Sequence, residues 1–392
     1  MVRARDDLHR HLLGHLCLPT SRVPHRISRR RDCACALPRA PRHDRAAIGK
    51  SVRVKPHLLL AIGASAGGVE ALTEAVAGLP ADLPACVLVT VHIGEQARSR
   101  LPEILGRSGP LPAGHARQGE QLRPGRIYVA PPGYHLLAIR GVAQLSRGPM
   151  VNRHRPAVDV MFASAARWAD GRTVAAVLSG MLDDGAVGAT LVARAGGRVL
   201  VQEPTEAMFD PMPRAALAAV PDAIPISAGR LGSMAVTLID AERAPTAADG
   251  GAGVMPRQHM EDSDDPLFLA DDESRLTRMS CPECGGTLAQ VDLPRISYYR
   301  CHVGHQYSPQ TLEATQRELT EAKLWTGIAA LEEHAALARH LANRPGGDHL
   351  SAADYLRTAR ESADLAKSMR AELAPMAEPS GPETASLRDT AQ

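Results

Sequence analysis

The stretch LLLAIGASAGGVEAL, residues 58–72, is an apolar run that stops at a glycine, sets one serine among small residues and then takes up a helical pattern. A strand that enters a helix through so tight a turn can cradle a phosphate on the helix's free amides, or it can hold a nucleophile. The glycines are spaced G-x-x-x-G-G rather than G-x-G-x-x-G, which speaks against a dinucleotide site. Such a site also needs an acidic residue at the end of the next strand to bind a ribose. Here the next strand, CVLVTVHI (86–93), brings His92 instead. Gly63-Ala64-Ser65-Ala66-Gly67 does fit G-x-S-x-G, in which small neighbours let a sharp turn lift a serine hydroxyl off the edge of a sheet. The helix that starts near Gly67 would point its positive end at that hydroxyl.

A serine needs a base within hydrogen-bond reach. The strands of an open parallel sheet end along one edge, so His92 can lie beside Ser65 although it is distant in sequence. A third run, TVAAVLSGMLDDGAVGA (173–189), ends at the same edge with Asp183 and Asp184, either of which could hold the imidazole in its working tautomer. The order Ser, His, Asp differs from the Ser, Asp, His order of α/β-hydrolases.

Outward from this core, HLLLAIG (57–63), CVLVTVHI, TVAAVLSG (173–180) and GRVLVQE (197–203) are short, β-branched and nearly continuously apolar. Helical patterns at 67–78, 157–169 and 185–195 lie between them. That alternation predicts an α/β fold, a doubly wound and mostly parallel sheet with helices on both faces. GRIYVAPPGYHLLAIRGVAQLS (125–146) carries strand and turn signals and predicts an antiparallel hairpin at one side.

The chain has 392 residues, 44% of them hydrophobic and only 3% aromatic, so its core must rely on small and branched side chains. A formal charge of +2 gives no global attraction to nucleic acid or to a membrane. No apolar run reaches the roughly 18 residues that span a bilayer, and no signal core opens the chain, so a cytoplasmic protein without membrane insertion is expected. The 7 cysteines are odd in number, which argues against a disulfide framework.

Residues 1–55 are Arg-rich and aperiodic and read as a basic, disordered extension, with a nucleic-acid-binding arm as the alternative. The α/β pattern fills 56–242. An acidic linker with EDSDD follows at 243–275, then a small Cys/His module at 276–308, a helical hairpin at 309–375 and a disordered C-terminus at 376–392. In the module, Cys281-x-x-Cys284, a short hairpin, and Cys301 followed by His302 and His305 have the spacing of a structural zinc ribbon. His305 is the expected fourth ligand, because C-x-x-x-H gives the chain room to turn back onto the ion. The first of the hairpin's two helical segments, about 309–343, carries Leu312, Leu319, Leu324, Ile328, Leu331, Leu337 and Leu341 at mostly helical spacing, as expected of a hairpin that buries its own apolar stripe.

Six motifs, AIGASAGGVEAL (61–72), VHI (91–93), IYVAPPGYHL (127–136), HRPAVDVMFASAA (154–166), LSGMLDDGAVGA (178–189) and VQEPTEAMFDPMPRAAL (201–217), resemble in this order the catalytic domain of the CheB family, chemotaxis protein-glutamate methylesterases. The resemblance implies hydrolysis of γ-glutamyl methyl esters on chemoreceptor helices with release of methanol, and in some members deamidation of receptor glutamines. It places the serine on Ser65, the histidine on His92 and the aspartate on Asp184 rather than Asp183. It also implies an oxyanion hole that uses the backbone amide of Met181, with Ala66 and Gly67 at the start of the helix. No cofactor is implied for catalysis. Departures occur at Ala66 (Thr is common), Val91 (Gln), Leu182 (Gly) and Pro211 (Gly); the last two are expected to reshape the hole or the substrate groove. The residues ahead of the domain are too few for the receiver domain that most characterised members carry, so a stand-alone form is expected, with the C-terminal helices free to meet signalling partners. Two alternatives are a hydrolase of this fold acting on another methyl ester or amide, and a non-enzymatic scaffold.

Overall fold

The structure is a computed structural model and describes residues 58–169, 171–243, 274–344 and 351–373. The extension expected at 1–55, nearly all of the expected linker and the C-terminus from 376 lie outside the described residues. The first elements are β1 (Leu58–Ala64), α1 (Gly68–Ala77), β2 (Ala85–Val91), α2 (Leu101–Ser108), β3 (Ala113–His115), β4 (Glu120–Gln121), β5 (Arg126–Val129), β6 (His135–Ile139) and β7 (Val142–Ser146). Then come α3 (Val158–Trp168), β8 (Thr173–Val177), α4 (Ala186–Arg194), β9 (Arg198–Gln202), α5 (Pro211–Ala219), β10 (Ile224–Ile226) and α6 (Ala228–Arg243). The C-terminal part contains β11 (Ser274–Ser280), β12 (Thr287–Asp292), β13 (Ser297–Cys301), β14 (Gln306–Tyr307), α7 (Pro309–Ala342) and α8 (Ala352–Leu373).

Seven strands form one sheet in the order β10-β9-β8-β1-β2-β5-β3, and every neighbouring pair is parallel. The continuous apolar runs follow from burial of both faces. Leu58, Leu60 and Ile62 of β1 share a core with Leu72 and Val76 of α1 and Leu231 and Ile239 of α6. Leu59 and Ala61 share the opposite core with Met161 and Phe162 of α3, Val192 of α4 and Met212 of α5. From β1 the chain goes to β2 on one side, and β8 pairs on the other. The ends of β1, β2 and β8 therefore meet at the crevice where the winding reverses, the usual place for a site in such a sheet.

One expectation needs correction. Arg126–Val129 does not belong to the hairpin but joins the main sheet parallel to β2, with Val87 opposite Ile127. The hairpin is β6 with β7, extended by β4 into a three-stranded antiparallel sheet. The Cys/His module is a four-stranded antiparallel sheet, β11-β12-β13-β14, whose first strand starts at Ser274, two residues ahead of the expected boundary. Tyr298 of β13 is buried with Leu137, Val151, Val160 and Val187 of the α/β unit. Helices α7 and α8 bury Ile328, Ala366 and Leu373 against each other, joined by an Arg370–Glu332 ion pair. Among the described residues no helix is long and apolar enough to cross a membrane.

Candidate active site and metal centre

Ser65 follows β1, and the sheet's ladder continues one residue past the strands to place it. Its N–H donates to the Ser179 carbonyl at 2.9 Å, and the His92 N–H donates to the Ala64 carbonyl at 3.3 Å. Gly67 caps α1 with φ +65, in the left-handed region that favours glycine, and a Cβ there would stand 2.7 Å from the Met208 Cβ. Gly180 has no room for a side chain: a Cβ would collide with Met212 Sδ and lie 2.8 Å from the Ser65 Cβ. Ser179 ties the turn together, its hydroxyl donating to the Ala66 carbonyl at 2.8 Å and accepting from the Phe209 N–H at 3.0 Å.

The three expected residues come together. Ser65 Oγ lies 2.9 Å from His92 Nδ1, and His92 Nε2 lies 2.6 Å from Asp184 Oδ2. With Asp184 ionised, Nε2–H donates to the carboxylate and Nδ1 is left to accept from the serine hydroxyl. The pair is sheltered, the His92 and Asp184 side chains being 6% and 2% exposed. Asp184 also accepts from the first amides of α3, Val158 N–H at 2.6 Å and Asp159 N–H at 3.1 Å, and from Asn152 Nδ2 at 3.2 Å. Burial pushes this carboxyl up, but the hydrogen bond and charge of His92 and the α3 amide outweigh it and hold Asp184 below the usual carboxylate range. Asp159 is its counterpart: burial and the adjacent Asp184 charge raise it well above that range. It accepts from the Gly185 and Gly188 amides at 2.9 and 2.7 Å and so joins α3 to the start of α4. Asp183 turns away from the imidazole and accepts from the Ser308 hydroxyl at 2.6 Å.

Several residues here carried no role in the sequence reading. His154 stacks on His92, with ring centroids 3.6 Å apart and planes within 10°. Burial and the neighbouring imidazole lower His154 to about 4, so it stays neutral beside His92. His135 is also lowered to about 4 by burial; it donates from Nε2 to the Pro149 carbonyl and accepts at Nδ1 from the Ala157 N–H. His154 and Asp159 both lie in HRPAVDVMFASAA, which was the available signal.

Met181 is 49% exposed, and Leu182, Met208 and Phe209 are 37%, 69% and 37% exposed, which gives the serine an apolar rim. Leu182 has φ +61 and so carries the strain that glycine would avoid. Pro211 takes a favoured place for proline, in the first turn of α5.

Away from the serine, one ligand atom each from Cys281, Cys284, Cys301 and His305 lie within 4.8 Å of one another, a group that could hold a metal ion. Bonds of about 2.3 Å to sulfur and about 2.05 Å to nitrogen imply tetrahedral edges of roughly 3.8 Å between sulfurs and roughly 3.6 Å from sulfur to nitrogen. The structure has 3.6 Å from Cys284 Sγ to Cys301 Sγ, and 3.7 and 3.5 Å from His305 Nδ1 to Cys281 Sγ and Cys301 Sγ. His305 Nε2 meets Glu283 Oε2 at 2.9 Å, the outer carboxylate that commonly orients a metal-binding imidazole. His302 is outside this group, its ring lying over Gly286.

Residues 60–231 match the family model described as CheB methylesterase. A protein-glutamate methylesterase/protein-glutamine glutaminase 2 of Xanthomonas oryzae pv. oryzae is 42% identical over 174 residues, 43% of this chain and 48% of the relative. A protein-glutamate methylesterase/protein-glutamine glutaminase 2 of Pseudomonas aeruginosa is 41% identical over 174 residues, 43% of this chain and 50% of the relative. The chain thus spans about half the length of the curated relatives it matches. The crystal structure of the Thermotoga maritima CheB methylesterase catalytic domain is 29% identical, covering 46% of this chain and 98% of that one at a TM-score of 0.44. Over 60–231 the resemblance drawn from the motifs is borne out by the family model and these relatives.

Proposed function

We propose that this chain is a serine hydrolase of chemotaxis adaptation, which demethylates γ-glutamyl methyl esters on chemoreceptor helices in the cytoplasm and also deamidates receptor glutamines. The observation that carries the reading is the unbroken relay from Ser65 Oγ through His92 to Asp184, at 2.9 and 2.6 Å, in a segment that matches the methylesterase model. Ser65 attacks the ester carbonyl carbon as His92 Nδ1 takes the hydroxyl proton, and the carbonyl electrons move to oxygen. The backbone amides of Met181, Ala66 and Gly67 are the proposed oxyanion donors, at the positive end of α1. The intermediate collapses, His92 returns the proton to the methoxide, and methanol leaves an acyl-Ser65 ester. Water then gives a proton to His92 while its oxygen attacks that ester, and as this second intermediate breaks its bond to Ser65 Oγ, His92 returns the proton to that oxygen, which releases the glutamate carboxyl and free Ser65. Asp184 holds the imidazole and stabilises its cation. The rim of Met181, Leu182, Met208 and Phe209 suits the apolar stripe of a receptor helix.

For Cys281, Cys284, Cys301 and His305 the proposed occupant is a structural zinc ion, since all four positions are filled by protein and none is left for substrate. Helices α7 and α8 are the proposed surface for signalling partners.

Incubation with methylated receptor fragments should release methanol, and Ser65→Ala should lower the rate by on the order of 10⁴ to 10⁶. Turnover by Ser65→Ala close to that of the unmodified chain would sink the nucleophile. Methanol released from small methyl esters but never from receptor fragments would favour a different substrate.

A further inference from the structure

The Cys/His module grips the active site at the 149–154 loop and at Asp183. Residues 149–154 lie between the triad and the module, and Asn152 faces both. Toward the triad, its Nδ2 donates to Asp184 Oδ1 at 3.2 Å and to Asp159 Oδ2 at 3.0 Å, while two residues on His154 stacks on His92. Toward the module, its N–H donates to the Gln306 carbonyl and its Oδ1 accepts the Ser308 N–H, both at 2.8 Å. Ser308 is also the N-cap of α7, its hydroxyl accepting from the Thr311 N–H and donating to Asp183, the neighbour of Asp184. Asn152 and Ser308 are each 2% exposed, so water offers neither a substitute partner.

These contacts admit one orientation of the Asn152 amide. The Asp184 carboxylate requires its NH₂ on the triad side, and the Ser308 N–H requires its oxygen on the other. Turned over, the amide would aim oxygen at the Asp184 carboxylate and NH₂ at an N–H. The Ser308 N–H thus keeps the Asn152 donor on Asp184, and that donor helps to hold the carboxylate plane that His92 reads. Asn152 and Arg153 both have positive φ, +50 and +66, so the loop keeps this shape at a conformational cost that its partners offset. An Arg153–Glu318 ion pair ties the same loop to α7, but both side chains are largely exposed and the pair adds little.

We propose that Asn152 and Ser308 are positioning residues for Asp184, so that the Cys/His module and the start of α7 complete the active site. The proposal rests on the Ser65–His92–Asp184 reading, and the experiment separates the two. The reaction of Ser65 with a fluorophosphonate, located by mass spectrometry of the Ser65 peptide, reports triad activation without any assumption about substrate. It is measured on the full chain, with a melting temperature recorded for each variant. Ser308→Pro removes both the N–H and the hydroxyl, and Ser308 already has φ −68, which suits a proline ring. Asn152→Ala and Ser308→Pro should slow labelling roughly 10- to 100-fold, the size of one hydrogen bond to a charged group. Ser308→Ala keeps the N–H and should slow it roughly 3- to 10-fold, the size of one net hydrogen bond, with most of the loss recovered by Ser308→Thr.

Wild-type labelling rates in folded Asn152→Ala and Ser308→Pro would overturn the clamp while leaving the triad standing. Slowing that merely follows the unfolded fraction, with the rate per folded molecule unchanged, would overturn it as well, and here Ser308→Ala against Ser308→Thr decides even if Ser308→Pro does not fold. A native chain that is not labelled at Ser65 would overturn both readings.

Discussion

Replacing Asp184 by Asn tests the relay at its most constrained point. The carboxylate accepts from two donors on each oxygen: His92 Nε2 and Val158 N–H at Oδ2, and Asp159 N–H and Asn152 Nδ2 at Oδ1. An asparagine has one acceptor oxygen and one NH₂, so either orientation sets that NH₂ against two donors. With the NH₂ toward His92, the imidazole must accept at Nε2 and carry its proton on Nδ1, where it can no longer take the Ser65 proton. That is the wrong-tautomer failure, which in a comparable triad costs about 10⁴ in turnover. With the NH₂ toward Asn152 the tautomer survives, but two buried N–H groups lose their acceptor and the imidazolium loses its counter-charge. Each buried unsatisfied group costs about 1–3 kcal/mol, and relief from burying a charge offsets part, so a net loss of about 2–4 kcal/mol in stability is expected. Asp183→Asn should stay within roughly tenfold of the unmodified rate, because its partners are Ser308 and Thr311 rather than His92. Methanol release and urea unfolding would be measured on both variants. Asp184→Asn within tenfold of the unmodified chain, or Asp183→Asn falling as far, would refute the assignment of the acid.

Three further outcomes are expected. His135 and His154 are held at about 4 against an ordinary 6.5; the unfolded chain therefore takes up their protons first, and stability falls as pH drops from 6.5 toward 4. By linkage the loss is about 2 kcal/mol per histidine at pH 5 relative to pH 7, and His135→Gln should remove one such share of the difference in urea unfolding; an unchanged difference would count against it. Leu182→Gly relieves a residue at φ +61 and should raise stability by about 0.5–1 kcal/mol, whereas a loss would show that the Leu182 side chain packs more than its exposure suggests. Metal analysis should return about one zinc per chain, retained in His302→Ala and lost in Cys281→Ser and Cys284→Ser, and a metal-free native protein would end the zinc assignment.

Where apolar runs are continuous and helical patterns lie between them, the sequence is enough to specify a parallel sheet, and its strand ends bring Ser65, His92 and an aspartate to one edge. The misreading at Arg126–Val129 has a physical cause. RIYV runs straight into the hairpin pattern, and its partner in the sheet, β2, lies some forty residues earlier. Side-chain pattern records which faces are buried but not which strand supplies the hydrogen bonds. The same limit hid Asn152, which is 32 residues from Asp184 and 156 from Ser308. Nothing local to VNRHRP distinguishes an asparagine bridging two carboxylates from a turn residue, because its role exists only once both partners have folded against it.

The structure brings three buried acids together, Asp159, Asp183 and Asp184, of which the sequence pattern offered only the last two as partners of the imidazole. Burial raises all three, so what separates them is the donors each receives. Asp184 gathers four, one from an imidazole that can become a cation and two from the amides opening α3, and it remains the ionised member. Asp159 gathers two amides from the start of α4 and shares the Asn152 amide, but it faces the Asp184 charge at close range and is pushed toward the neutral acid. Two adjacent buried carboxyls cannot both ionise cheaply, so the negative charge settles where a proton will have to be stabilised, on the oxygen that meets His92. Asp183, raised by burial and steadied by the Ser308 hydroxyl, faces the module instead. The division of labour among the three acids is therefore set by the elements that deliver donors to them, α3, α4 and the start of α7, and it follows that a change in any of these can alter the chemistry at Ser65 without touching Ser65, His92 or Asp184.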